Sequence, residues 1–250
     1  MKPAWTDVQR SAHANVGLGV TLCFVAGATN AGGFLAVGSY TSHMTGVVSS
    51  LADNLVLGVW PLVWLSVGSF LAFVAGAMTT AWMVNWSLRR KLRSAFGRPL
   101  LVEAVLLLVF GLFGTVMDDQ SIMLVPLTVL LLCYIMGLQN AVITKISSAE
   151  IRTTHITGLV TDMGIELGKL LYFNGAKDTA APVLANRKKL GLQVRLIGSF
   201  FIGAVCGALG FKLLGYIATV PLALALVMLV WRPVVFDAKV WWRARTNEGN

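Results

Sequence analysis

Charge is scarce in this chain. Of 250 residues only 12% are Asp, Glu, Lys or Arg while 56% are hydrophobic, against about 25% charged in an ordinary soluble domain. A water-soluble globule of this length would lack the polar surface to cover itself, so the chain reads as an integral membrane protein. Cysteine is scarce too: Cys23, Cys133 and Cys206 stand singly in apolar stretches, which excludes a CxxC site or a disulfide framework. The few Cys and His residues lack the spacing of a zinc site. There is no HExxH, no phosphate-binding loop and no nucleophile–base constellation. The expectation is a non-enzymatic protein without metal or cofactor.

Acids are the scarcer sign, 11 against 20 Lys and Arg, for a formal charge of +9. The basic residues lie between apolar stretches, where cytoplasmic loops collect them, so no nucleic-acid partner is implied. The opening MKPAWTDVQRSAHANV is polar for too long to begin a cleaved signal peptide, and no small-residue cleavage site follows a short apolar core. The first span is expected to stay in the mature protein.

What the chain has is apolar length. Stretches of about Val16–Val37, Trp60–Trp86, Pro99–Val116, Ser121–Asn140, Gly191–Leu214 and Tyr216–Val235 are each long enough to cross a bilayer. Two others, about Met44–Leu57 and Ile156–Tyr172, are shorter and more polar. If both cross, Arg89, Arg90, Lys91, Arg93, Arg98, Lys145, Arg152 and Lys212 fall outside, leaving twelve basic residues inside. If both instead enter and leave on one face, only Lys212 is outside, against nineteen inside. The acids Asp118–Asp119 of the short outer loop contribute little to orientation. The preferred reading is an all-α membrane protein with six transmembrane helices plus two re-entrant half-helices. It is a single integral membrane domain over residues 1–250, with both termini cytoplasmic.

The chain also repeats itself. Cys23-Phe24-Val25-Ala26-Gly27-Ala28-Thr29-Asn30-Ala31 aligns with Cys133-Tyr134-Ile135-Met136-Gly137-Leu138-Gln139-Asn140-Ala141. Thr41-Ser42-His43-Met44-Thr45-Gly46 aligns with Thr153-Thr154-His155-Ile156-Thr157-Gly158. A third match pairs Gly68-Ser69-Phe70 and Gly76-Ala77 with Gly198-Ser199-Phe200 and Gly207-Ala208. Three true crossings per unit make repeat 2 (about 121–235) inverted relative to repeat 1 (about 16–116), the arrangement transporters use to build a site near the midplane. Most glycines of the spans, such as Gly27, Gly32, Gly33, Gly203, Gly207 and Gly210, read as close helix packing.

The T-[ST]-H-x-T-G element sits where each re-entrant segment becomes helical. Its Thr and Ser residues suit an N-cap, and irregular backbone at membrane depth survives only when buried or lining a wet cavity. Two half-helix starts, Thr45 and Gly46 with Thr157 and Gly158, would then face each other and offer free amides to an anion or polar group. His43 and His155 at equivalent positions either contact solute and protons or fix the loop by bonding a carbonyl. Asn30 and Asn140 either bind solute or join helices.

Asp53, Asp162 and Glu166 are the coupling candidates, as intramembrane carboxylates facing a wet interior; Glu166 can instead pair with Lys169 three residues on. Glu103 reads as interfacial. Trp231, Trp241 and Trp242 with Arg232, Lys239, Arg243 and Arg245 read as an anchor after the last span, and the loop from Asn174 to Lys189 as a cytoplasmic surface.

GATNAGGFLAVGSYTSHMTG and the later GLQNAVITKISSAEIRTTHITG resemble the YoaK family of bacterial inner-membrane proteins, a family of unknown function, over nearly the whole chain. The resemblance implies a multi-pass protein of the bacterial inner membrane but supplies no substrate or catalytic residue. Family members often carry Asp at the position of Asn30 and Asn at that of Val47, which argues against carboxylate coupling at Asn30. The combined expectation is a small secondary transporter or channel-like permease for a small polar or anionic solute, embedded in the lipid bilayer and able to form a homodimer. The alternatives are a non-transporting scaffold or a membrane-embedded enzyme.

Overall fold

The computed structural model describes residues 5–8, 12–116, 121–147, 151–175 and 181–247. The acidic pair Asp118–Asp119, parts of the segments 146–152 and 174–189, and the side chains of Trp241, Arg243 and Arg245 lie outside what is described. Among the described residues all regular structure is helical: α1 Ala12–Val37, α2 Met44–Leu57, α3 Trp60–Arg89, α4 Gly97–Val116, α5 Ser121–Ile146, α6 Ile156–Leu171, α7 Arg187–Leu214 and α8 Thr219–Asn247, with a 3-10 turn Gly215–Ala218 before α8. An all-helical outcome is what an apolar chain demands, because in lipid each backbone amide must be paired within its own segment.

Four stretches are long and apolar enough to cross a membrane: Ala14–Val37, Trp60–Arg89, Val125–Ile146 and Arg187–Val240. The last contains α7 and α8, which the turn at Gly215 separates with its φ of 59°. α2 begins and ends where the sequence places it, and α6 ends one residue early. The spans run longer than their apolar cores, most of all α8, because charged residues extend a helix past the lipid without breaking it. α2 is stopped by Gly58 at φ 70°. The Gly58 amide donates to the Leu55 carbonyl and the Val59 amide to that of Asn54, a glycine-dependent helix end; Pro61 then opens α3 in its first turn.

Two helix pairs form the frame, and each is held by mutual glycine contacts. In one, α1 lies along α7 in the same direction: Gly27 sits against the Phe200 carbonyl, Gly203 against that of Phe24, and Gly32 against the Phe211 ring. In the other, α3 lies along α5 with Gly76 against the Tyr134 carbonyl and Gly137 against that of Phe73. A Cβ at any of the four carbonyl contacts would collide with backbone, so glycine is required there; such close approach substitutes packing for the hydrophobic drive that lipid removes. These contacts match Phe73 and Gly76 to Phe200 and Gly203. The sequence alignment had matched Gly76 to Gly207, one turn later. A shift of about one turn keeps the same face toward the partner, so the small-residue pattern alone does not determine the register.

α4 and α8 run antiparallel, with Gly97 against Val230 and Gly111 against Thr219. The N-terminal segment closes one end of the molecule. Arg93, in the α3–α4 loop, pairs with Asp7 at 3.1 Å, and the backbone amides of Arg93 and Ser94 donate to Asp237 of α8.

Candidate functional site

The two short helices hang on the frame at equivalent places: α2 packs on α3 and α6 on α7, and α2 and α6 do not touch. The expectation that their starts face each other across one site is thus corrected. α1 and α5, which the glycine contacts draw deep into the frame, lie at its centre, and each short helix docks on the outer flank of its own pair.

The start of each short helix is tied to the central helix of its own half. Ser42 donates to Asn30 Oδ1 at 2.8 Å; Thr153 and Thr154 donate to Asn140 Oδ1 at 3.2 and 2.8 Å. The motif hydroxyls therefore do not cap the helices. The N-cap positions are His43 and His155, and neither side chain makes a capping bond. Each imidazole instead lies over the glycine three residues on: a Cβ on Gly46 would meet His43 Nδ1 at 2.7 Å, and one on Gly158 would strike the His155 ring. This explains the spacing in H-x-T-G, where Gly makes room for the imidazole. Thr45 and Thr157, like both histidines, are exposed.

A cavity of about 470 Å³ opens beside the start of α2. His43 at the N-cap and Gly46, Ser50 and Asn54 of α2 line it, with Ser66 and Ser69 from α3 and Ser39 and Tyr40 from the preceding loop, while Phe34, Val37, Leu62, Leu65 and Val129 give it an apolar wall. Of the site candidates read from sequence, His43 and Gly46 line it; Ser39, Ser50 and Ser66 were not among them, and Ser69, read only as part of the repeat, bonds the Leu65 carbonyl of its own helix. The α6 side carries a groove of about 540 Å³ lined mainly by apolar atoms of Leu170, Leu190, Gly191 and Val194, with Arg187 and Arg195 at its rim.

The coupling candidates separate into different settings. Asp53 is exposed on α2. Asp162 pairs with Lys189 at 3.0 Å, both side chains 46% exposed. Glu166 is buried, accepts from the Asn186 amide at 2.7 Å and from Lys169 at 2.9 Å, and fastens α6 to the start of α7. The Asn186 amide and then Lys169 hold its carboxyl below the ordinary value of 4.5. Glu103, expected at the interface, is fully buried and neither of its oxygens has a partner. A lone acid within an otherwise apolar run was the available signal.

The chain is thus a multi-helix membrane protein whose helices frame a hydroxyl-lined cavity at the start of a helix too short to cross. It belongs to the family described as a protein of unknown function (DUF1275), whose pattern matches residues 18–231. It is similar to the UPF0700 transmembrane protein YoaK of Bacillus subtilis (strain 168), with 26% identity over 159 residues, covering 63% of this chain and 69% of that protein. No solved structure matches it.

Proposed function

We propose that the chain is a small secondary transporter or channel-like permease of the bacterial inner membrane, moving a small polar or anionic solute, rather than an enzyme or a scaffold. The cavity beside α2 carries this reading. It joins hydroxyls, an amide side chain, an imidazole and the free amides of a helix start, a set that recognises polar or anionic groups. A scaffold has no use for such a recess.

The six-crossing, inverted-repeat path has independent support. α2 and α6, with 14 and 16 residues, reach only about 21 and 24 Å at 1.5 Å per residue, short of a hydrocarbon core of about 30 Å. The Asp7–Arg93 pair and the Asp237 contacts gather the N-terminal segment, the α3–α4 loop and α8 at one end. An eight-crossing path would put that loop on the opposite face from both termini. The reciprocal glycine contacts of α1 with α7 and of α5 with α3 are the packing that two inverted copies would share. On this path both termini are cytoplasmic, the α2 cavity faces out and α6 faces in.

Solute flux into proteoliposomes tests the function. Wild-type protein is expected to admit at least one class of small polar or anionic solute, and Ser66→Phe, which fills the cavity, to block it while the protein stays folded. A broad screen that finds neither flux nor ligand-induced thermal stabilisation would sink the proposal.

A further inference from the structure

We propose that Glu103 is the proton-binding residue of this protein and that the solute movement proposed above is coupled to protons through it. This deepens the permease reading and rests on it for the coupling, though not for the proton site.

Four acidic residues are buried among the described residues: Asp7, Glu103, Glu166 and Asp237. Three are engaged. Asp7 holds Arg93, Glu166 holds Lys169 and the Asn186 amide, and Asp237 accepts from two backbone amides. Glu103 has neither a hydrogen bond nor a counter-charge, and lies in the second turn of α4 with Leu100, Ala104 and Leu107 buried on the same face. An ionised carboxylate in that setting would lose its hydration with nothing in return, so the group sits there as a neutral acid, with its proton bound.

Among the described residues no cation is placed to change this: on α4 itself Arg98 donates to Ser94 and lies over the Trp86 ring. On α3 the charged residue is Arg89, which is exposed. On α5, Lys145 is exposed and bonded to Asn85, Tyr134 donates to Thr79, and Cys133 is a buried thiol. On α8, Arg232 and Lys239 are exposed and Asp237 is engaged. In the 3-10 turn, the Tyr216 ring packs edge-on to Phe110.

Polar capacity is nonetheless present. Ser87 on α3 and Gln139 on α5 are buried with free hydrogen-bonding atoms, and both helices pack against α4. Buried polar groups without partners are where internal water is held. Glu103 therefore carries a proton while it is packed among apolar side chains and releases it when water reaches it: the O–H bond breaks, its electron pair stays on the carboxylate and the proton passes to water. An intramembrane carboxyl of this kind is the expected element of a proton-coupled cycle.

The test uses full-length protein in lipid nanodiscs and infrared spectroscopy of the carboxylic-acid carbonyl band across a pH titration. Wild type is expected to show a band that Glu103→Gln removes completely, that Glu103→Asp restores at a shifted position, and that disappears as pH rises while the protein stays folded. A band that persists until the protein unfolds would make Glu103 a permanently neutral packing group and overturn the proposal. So would a band that disappears on adding sodium at fixed pH, which would mark a metal-cation site. If Glu103→Gln fails to fold, the wild-type titration and the Glu103→Asp shift decide by the same criteria. In proteoliposomes, flux that an imposed pH gradient drives in wild type but not in Glu103→Gln supports the coupling. Flux equally gradient-driven in both overturns it. Absence of flux with an intact titration counts against the permease and leaves the proton site standing.

Discussion

The molecule has two wings built to one plan and finished differently. The α1–α7 pair carries α6, and the α3–α5 pair carries α2. Both pairs cross through glycine on carbonyl, and both short helices start with a histidine folded over a glycine beside a hydroxyl bonded to asparagine. α6 is then pinned by a buried carboxylate and a surface ion pair, whereas α2 has no buried residue and borders a cavity of mixed polar and apolar lining. The shared part is what the fold needs. The unshared part makes one wing firm and leaves the other open, the asymmetry expected if the α2 end receives solute while the α6 end acts as its anchor.

The largest expected effects test the shared part. Gly27→Leu and Gly137→Leu each push a side chain into a backbone carbonyl that has no room to withdraw, at a cost of about 3 kcal/mol or more. Both are expected to abolish recovery of monodisperse protein, while Gly164→Ala, with open space around it, stays neutral. If Gly27→Leu is tolerated and Gly137→Leu is not, the wings are not equivalent at their cores.

The hydroxyl–asparagine ties come next. Asn140→Ala strands the fully buried Thr153 hydroxyl along with that of Thr154, at a cost of about 1–3 kcal/mol. Asn30→Ala releases only the half-buried Ser42 and is expected to cost about 0.6 kcal/mol, the average for a hydrogen bond within a membrane bundle. Thermal midpoints of the two variants, measured in one detergent, should keep that order; the reverse order would mean that α2 is the more firmly held helix.

Much of this was legible in the residues. Apolar length marked the helices, and α2 was delimited correctly because Gly58 and Pro61 punctuate it. The two motif copies identified the equivalent starts, since Asn, Thr, His and Gly all serve local contacts that keep their spacing. Packing across the membrane was harder to read. The glycine register on α3 and α7 slipped a turn because small residues recur on the same face, and the short helices were expected to converge because their sequence does not reveal that α1 and α5 take the centre. Glu103 looked interfacial because it lies six residues into its helix, but the N-terminal segment and α8 meet the α3–α4 loop through Asp7 and Asp237, so that Ser94 and Ala95 are already buried and Glu103 lies in the core.

The α6 fastening gives a pH-dependent prediction. Because the Glu166 carboxyl titrates below its ordinary value in the folded protein, its contribution is complete above that ordinary value and fades as pH falls through the lower, folded one. The protection of the Asn186 amide, its exchange rate set against the intrinsic rate at each pH, should therefore fall in acid in wild type and be low at every pH in Glu166→Gln. α2, which has no such tie, should show no matching acid-dependent loosening. Equal acid sensitivity in both short helices would remove the distinction between the wings.

The smallest effect is expected from the other α6 contact. Asp162 and Lys189 meet at 3.0 Å, but each side chain is 46% exposed, and ion pairs in such positions are worth about 0–1 kcal/mol because water and salt screen them. Asp162→Asn should therefore shift the thermal midpoint by less than Glu166→Gln does, and the shift should vanish in high salt. The ordering matters because both acids lie on one face of α6, four residues apart, and the sequence favours Asp162 as the functional acid while giving Glu166 a partner in Lys169. If the Asp162 variant proves the more damaging, α6 is held by charge at the membrane surface rather than by a buried carboxylate on the first amides of α7. The firmness of that wing would then depend on ionic strength rather than on packing.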